Sequence, residues 1–215
     1  MFSLDREFLM LKMASYKLTY FNVTALGEPI RFLLSYLGRE FEDYRLSQDQ
    51  WPSTKPKTPF GKLPVLEIDG KALHQSTSIA RYLGKEADLA GSDNWEALQI
   101  DMAVDSLHDF RLALVGYFFE QDKAVKEKKR GPLLKDTVPF YLTKFDELVK
   151  DNDGYLANGK LSWGDLYFVA CSSLINHIIE FDMFDKYENL RTLRDNVHSI
   201  PQIKAWVETR PKTPF

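Results

Sequence analysis

The chain has one cysteine, Cys171, among 215 residues. No intramolecular disulfide can form, which fits a reducing compartment, so the expected location is the cytosol. An excess of positive charge is also missing: 28 Lys and Arg stand against 31 Asp and Glu, for a net charge of -3. That balance gives no electrostatic reason to expect nucleic acid or an anionic membrane as a partner. No apolar run reaches the ~18 residues a membrane span needs. The short apolar run near the start follows Asp5, Arg6 and Glu7 and lacks a small-residue cleavage site, which argues against a signal peptide. Internal repeats and low-complexity tracts are absent as well, which leaves ordinary globular folds.

What is present supports such a fold, since hydrophobic residues at 44% and charged residues at 27% sit near globular averages. Residues 1–13 are expected to be a disordered extension ahead of the folded part. From Tyr16, "YKLTYF" is β-branched and aromatic, "GEPIRFLLSYLG" has helical apolar spacing with Pro29 in its first turn and Gly38 past its end, and "FEDYRL" is a second strand. This opening is a βαβ unit. "LPVLEI" and "KALHQ" flank Asp69-Gly70, a strong hairpin signal, so the third and fourth strands should be antiparallel. "STSIARYLGK" closes the unit as a helix. From Trp95 onward the segments are helical, separated by turn-forming stretches that include "KEKKRGP", "DNDG" and "NGK". The expected architecture is a small mixed α/β domain over residues 14–90 and an all-helical domain over 91–215. Ser162 and Asp165 have the spacing of a capping box at a helix start.

Several residues carry possible chemistry. Ser76, after Gln75 at a helix N-terminus, is either an ordinary cap or part of an anion site for a carboxylate or phosphate. Leu63-Pro64 precedes the third strand, a position that suits a cis peptide although base rates oppose one. In the Pro-rich stretch "DQWPSTKPKTPF", the Trp51 indole and the Lys55 cation are spaced to converge on one acceptor, or simply decorate a surface loop. Tyr20 ends the first strand, where side chains face the ligand crevice of α/β folds or simply pack. Asp101, Asp105, His108 and Asp109 share a helix face that reads as a solvated or interface surface rather than a metal site. "KAVKEKKR" reads as a solvated face.

In order along the chain, these segments resemble cytosolic glutathione transferases over Ser15 to Phe215, and within them the sigma class, which includes insect enzymes and the haematopoietic prostaglandin D synthase. The matching stretches are "YKLTYFN", "GEPIRFLLSYLG", "PFGKLPVLEIDG", "LHQSTSIARYL", "VDSLHDF", "GYLANGKLSWGDLYF" and "IKAWVETRPKTPF". The resemblance implies a thioredoxin-like N-terminal domain, a helical C-terminal domain, a homodimer, and glutathione as co-substrate with no metal.

It also implies roles. Tyr20 would donate a hydrogen bond to the glutathione sulfur. Leu63, in a cis-Pro turn with Pro64, would pair with the cysteinyl backbone, and Gln75 and Ser76 would hold the γ-glutamyl carboxylate. Trp51, Lys55 and Lys62 would hold the glycine carboxylate, while Asp109 would reach the γ-glutamyl ammonium in the neighbouring subunit. Phe21, Val23, Leu26, Arg111, Tyr167, Cys171 and Phe215 would line the pocket for an apolar electrophile, such as a lipid-peroxidation aldehyde, with hydroperoxide reduction as a further activity. Three departures separate the chain from the prostaglandin synthase: Leu26 stands in place of an arginine, Gly116 in place of a tryptophan, and His108 in place of a carboxylate of its metal-responsive cluster. Prostaglandin isomerisation and a crystallin-like structural role are the alternatives.

Overall fold

The structure is a computed structural model that describes residues 14–213 and 215. The expected extension over residues 1–13 lies outside the described residues. The first half builds a four-stranded sheet from β1 (Tyr16–Phe21), β2 (Glu42–Leu46), β3 (Val65–Ile68) and β4 (Lys71–His74) in the order β2-β1-β3-β4. β1 and β2 are parallel, joined by helix α1 (Glu28–Tyr36), while β3 is antiparallel to both β1 and β4. Asp69 and Gly70 both have positive φ, 48° and 78°, the left-handed pair that a two-residue hairpin matching the strand twist requires. Helix α3 (Ser76–Glu86) follows β4. Leu18, Leu66, Leu33, Leu34, Ala80 and Leu83 from these elements are buried in one hydrophobic core.

The stretch expected to be a Pro-rich loop contains α2 (Trp51–Thr54) and a 3₁₀ turn at Lys55–Lys57, since Pro52 and Pro56 fall in first turns, where a missing N–H costs nothing.

The second half consists of α4 (Asn94–Phe118), α5 (Lys123–Pro132), α6 (Val138–Asp151), α7 (Trp163–Ile179), α8 (Met183–Lys186), α9 (Glu188–Ser199) and α10 (Pro201–Thr209). One separator reads differently in three dimensions. "KEKKRGP" lies within α5, whose start is capped by Asp122 accepting from Ala124 and Val125 N–H at 2.8 and 3.1 Å. Ala, Lys, Glu and Arg are good helix formers, and Gly131-Pro132 does not end the helical path: the backbone passes through a π turn at Leu133–Thr137 into α6.

α7 is the central helix, buried along most of its length and packed against α1 and α4. It ties the two halves together, because the Trp163 N–H donates to the Leu89 carbonyl at 3.0 Å. Its start is fixed by Asp165, which accepts from the Ser162 N–H and hydroxyl, both at 2.7 Å, and from the Leu156 N–H at 2.7 Å. Among the described residues, no helix is long and apolar enough to cross a membrane.

Candidate active site

Tyr20 comes from the end of β1 and is almost wholly buried. Its hydroxyl oxygen accepts a hydrogen bond from the Leu26 N–H at 3.2 Å. That bond uses an oxygen lone pair and leaves the hydroxyl proton free to be donated. Burial pushes the Tyr20 pKa above its ordinary value, against the opposing pull of the Leu26 amide and of the Arg31 and Arg111 cations. The hydroxyl therefore stays protonated at neutral pH and can act as a donor. Phe21 packs edge-on against the Tyr20 ring at 5.9 Å, and Trp51 packs edge-on against Phe21 at 5.4 Å.

Leu26, whose N–H meets the Tyr20 hydroxyl, lines a cleft of about 270 Å³ between the two halves of the molecule, while Tyr20 itself is outside the lining. Leu26, Lys62, Leu63, Pro64, Gln75, Ser76 and Arg111 all line it, and the Leu63-Pro64 peptide is cis. Gln75, not Ser76, occupies the N-cap of α3, and its backbone lies at φ 71°, ψ 104°, outside the regions a non-glycine residue ordinarily adopts. Local strain of this kind persists where surrounding structure holds it, commonly at ligand clamps. Ser76 is the first residue of the helix, with its hydroxyl 3.0 Å from the Tyr167 hydroxyl of α7. The plain capping reading of Ser76 thus gives way to a contact that crosses between the halves. The α3 N-terminus adds the positive end of a helix and free N–H groups, the ordinary elements of a carboxylate site.

The remaining expected residues are outside the lining of this cleft. Lys55 runs its stem along Gly61 in the loop before β3. Asp109 is exposed on α4, next to His108, which does line the cleft. Asp101, from the same acidic face, is held by Arg81 at 2.9 Å. Tyr167 and Cys171 are buried in α7, and burial pushes both pKa values up to about 12. Val23 is half-buried, and its carbonyl accepts from Arg31. Phe215 stacks on His177 at 4.6 Å and lines a separate cavity with Thr24 and Arg210.

Sequence reasoning missed two features. His108 lines the cleft with its Nδ1 3.5 Å from the Arg111 guanidinium. Partial desolvation and the Arg111 charge lower the His108 pKa against the pull of Asp109 and Asp105, which favours the neutral ring. The second is a buried ionic group around Glu28 and Arg31, in contact with the segment between β1 and α1 through the Val23 carbonyl. Its only local signal is the i, i+3 spacing of that pair in α1.

Comparison with known proteins accounts for both halves. Residues 18–91 match the N-terminal domain of glutathione S-transferases and residues 108–210 match the C-terminal domain. The chain is 48% identical to glutathione S-transferase S1 of Drosophila melanogaster over 199 residues, covering 93% of this chain and 80% of that protein. A solved structure of prostaglandin synthase D of Nilaparvata lugens is 54% identical with a TM-score of 0.89, covering 93% of this chain and all of that one. The rat haematopoietic prostaglandin D synthase, solved with a quinoline, is 39% identical with a TM-score of 0.84 over 94% of this chain and all of its own.

Proposed function

Because the chain belongs to the glutathione S-transferase family, we propose that it is a cytoplasmic, sigma-class enzyme that joins the glutathione thiolate to apolar electrophiles, foremost α,β-unsaturated aldehydes from lipid peroxidation. Hydroperoxide reduction by the same thiolate is a second expected activity. Residues 14–90 hold glutathione, and residues 91–215 line the electrophile pocket together with Phe21, Val23 and Leu26. The observation that carries this reading is the Tyr20 hydroxyl, which accepts from the Leu26 amide and keeps its own proton for a sulfur.

The energetics support that role. A free thiol of pKa ~8.5 is only a few per cent ionised at neutral pH, and lowering it by about two units requires about 2.7 kcal/mol of preferential thiolate stabilisation. A hydrogen bond to a charged acceptor supplies about 1.5 to 3 kcal/mol, so one tyrosine hydroxyl meets most of the requirement. Gln75, Ser76 and the α3 N-terminus hold the γ-glutamyl carboxylate. Leu63 pairs with the cysteinyl backbone beside Pro64, while Trp51, Lys55 and Lys62 hold the glycine carboxylate. The thiolate then attacks the electrophile against Leu26, Arg111 and neighbouring apolar groups. A homodimer brings Asp109 to the neighbouring subunit's glutathione. It is supported by an exposed apolar stripe of Trp95, Leu98 and Met102 on α4, spaced as one helix face.

Prostaglandin isomerisation is the second reading, favoured by the identity to the Nilaparvata lugens protein and opposed by Leu26, Gly116 and His108. Glutathione conjugation to an aryl halide and to hydroxynonenal, measured in parallel for the parent and Tyr20→Phe, tests the main reading. A parent that turns over and a variant about tenfold or more slower support it; equal rates would remove Tyr20 from the mechanism. Prostaglandin D formed from prostaglandin H faster than aldehyde conjugation would put the second reading first.

A further inference from the structure

Glu28 opens α1 with its side chain fully buried, yet it collects donors from distant parts of the chain. Its Oε1 accepts from the Trp206 indole N–H at 2.7 Å and from Arg210 at 2.6 Å, while its Oε2 accepts from Arg31 at 3.0 Å. Arg31 is also fully buried and donates to Asp43 of β2 and to the Val23 carbonyl, both at 2.9 Å. Val23 belongs to the segment between β1 and α1, which places the Leu26 amide on the Tyr20 hydroxyl. The Arg31 guanidinium lies 6.0 Å from the Tyr20 ring centroid, and the Thr24 N–H donates to the backbone oxygen of Phe215 at 2.8 Å. Polar restraints on this segment thus include Arg31 and the tail beyond α10, besides Arg45, which donates to the Asn22 side-chain oxygen at 3.2 Å nearer its start.

Stability alone is a weak account of such a group. Burying two charges costs several kcal/mol of desolvation per ion, and apolar replacements of similar volume are often at least as stable. What a carboxylate does here that apolar packing cannot is direct three donors, Arg31 of α1, Trp206 of α10 and Arg210 just past the end of α10, to fixed positions beside one short segment. We propose that Glu28 and Arg31 are positioning residues for thiol activation: they tie α10 to the segment between β1 and α1 and so hold the Leu26 amide against the Tyr20 hydroxyl. The inference rests on the reading of Tyr20 as the donor to the glutathione sulfur. With the amide in place, one lone pair of the Tyr20 oxygen is engaged and its O–H is fixed and polarised toward an outside acceptor. When the segment drifts, the hydroxyl loses that orientation and the thiolate loses part of its stabilisation.

The test follows ionisation of bound glutathione by its ultraviolet thiolate absorbance across pH, together with the pH profile of kcat/KM, in the full-length protein. Trp206→Phe removes one donor to Glu28 while keeping a ring against Phe41, now 5.5 Å away between centroids. Glu28→Gln removes the charge, and Arg210→Lys keeps a cation for Glu28. Trp206→Phe and Glu28→Gln are expected to move the thiol midpoint upward and to lower the thiolate fraction at neutral pH about three- to tenfold, with Arg210→Lys close to the parent. A purely structural role would lower the melting temperature and leave the midpoint of the folded protein unchanged. If Tyr20→Phe shifts the midpoint while Trp206→Phe and Glu28→Gln titrate with the parent, the positioning role is overturned and the Tyr20 reading stands. If Tyr20→Phe itself does not shift it, that reading falls and the positioning role with it. Should Glu28→Gln fail to fold, Trp206→Phe decides alone.

Discussion

Gly27 and the Tyr20 ring approach so closely that a methyl group on Gly27 would stand 2.6 Å from Tyr20 Cδ1. The Gly27 backbone has φ -78°, which any residue adopts, so close approach and not backbone conformation requires glycine here. Gly27→Ala must push the ring aside or open the segment that carries the Leu26 donor. Displacement of a catalytic group by ~1 Å costs up to about 10²-fold, so conjugation should fall about tenfold or more. Steady-state kinetics beside a thermal melt check this; an unchanged rate in a folded variant would show that ring placement does not limit turnover.

The contact between the Ser76 and Tyr167 hydroxyls makes a second expectation separable from the first. If Ser76 also donates to the γ-glutamyl carboxylate, Ser76→Ala loses a bond to a charged acceptor worth about 1.5 to 3 kcal/mol. The KM for glutathione should then rise about tenfold or more, with kcat changed far less, since a carboxylate remote from the sulfur is bound alike in ground and transition states. Tyr167→Phe removes only the contact between the halves and should leave glutathione binding within about threefold of the parent. Calorimetric titration of both variants decides. Equal weakening by the two substitutions would reduce Ser76 to a partner of Tyr167.

How much of this was legible in the sequence depends on the range of the interactions involved. The β1, α1 and β2 segments and the Asp69-Gly70 hairpin follow from local periodicity and turn chemistry, and the structure has all of them. The capping pair Ser162 and Asp165 likewise acts across three residues. Helix α5 was hidden because Gly131 and Pro132 carry stop signals that a π turn overrides. The Glu28 group was hidden for a different reason: Trp206 and Arg210 lie 178 and 182 residues away in sequence, and no local pattern encodes that pairing. The convergence of Leu63, Gln75 and Arg111 on one cleft was legible only through family resemblance, because spacing alone does not bring three separate elements together.

Cys171 is wholly enclosed in α7, where burial drives its thiol pKa up to about 12. Thiolate is the reactive species, so at neutral pH this cysteine should resist alkylation in the native protein and react once the chain is unfolded. Intact-mass measurement after iodoacetamide treatment, with and without denaturant, reads this directly. Rapid native alkylation would mean that the α7 segment opens readily; its absence fits a thiol closed off within the packed helix.

Asp165 sets a dependence of stability on pH whose sign can be worked out. Its carboxylate is fully buried with three donors, and burial raises its pKa from 3.8 to about 6, the donors opposing the rise. The folded pKa therefore lies above the unfolded one, and between them the folded chain binds the proton more tightly. This contribution to stability is fully present below the unfolded value near 3.8 and is lost as pH rises through about 6. Asp165→Asn does not titrate and turns an amide N–H₂ toward donors. It should be less stable at neutral pH by about 1 to 3 kcal/mol, the cost of unsatisfied buried groups. The gap between parent and variant should widen as the pH is lowered from 7 toward 4.5, roughly the interval over which the shifted carboxyl takes up its proton. Urea unfolding of both proteins across that range checks it, and a constant gap would show that the folded chain does not raise the Asp165 pKa.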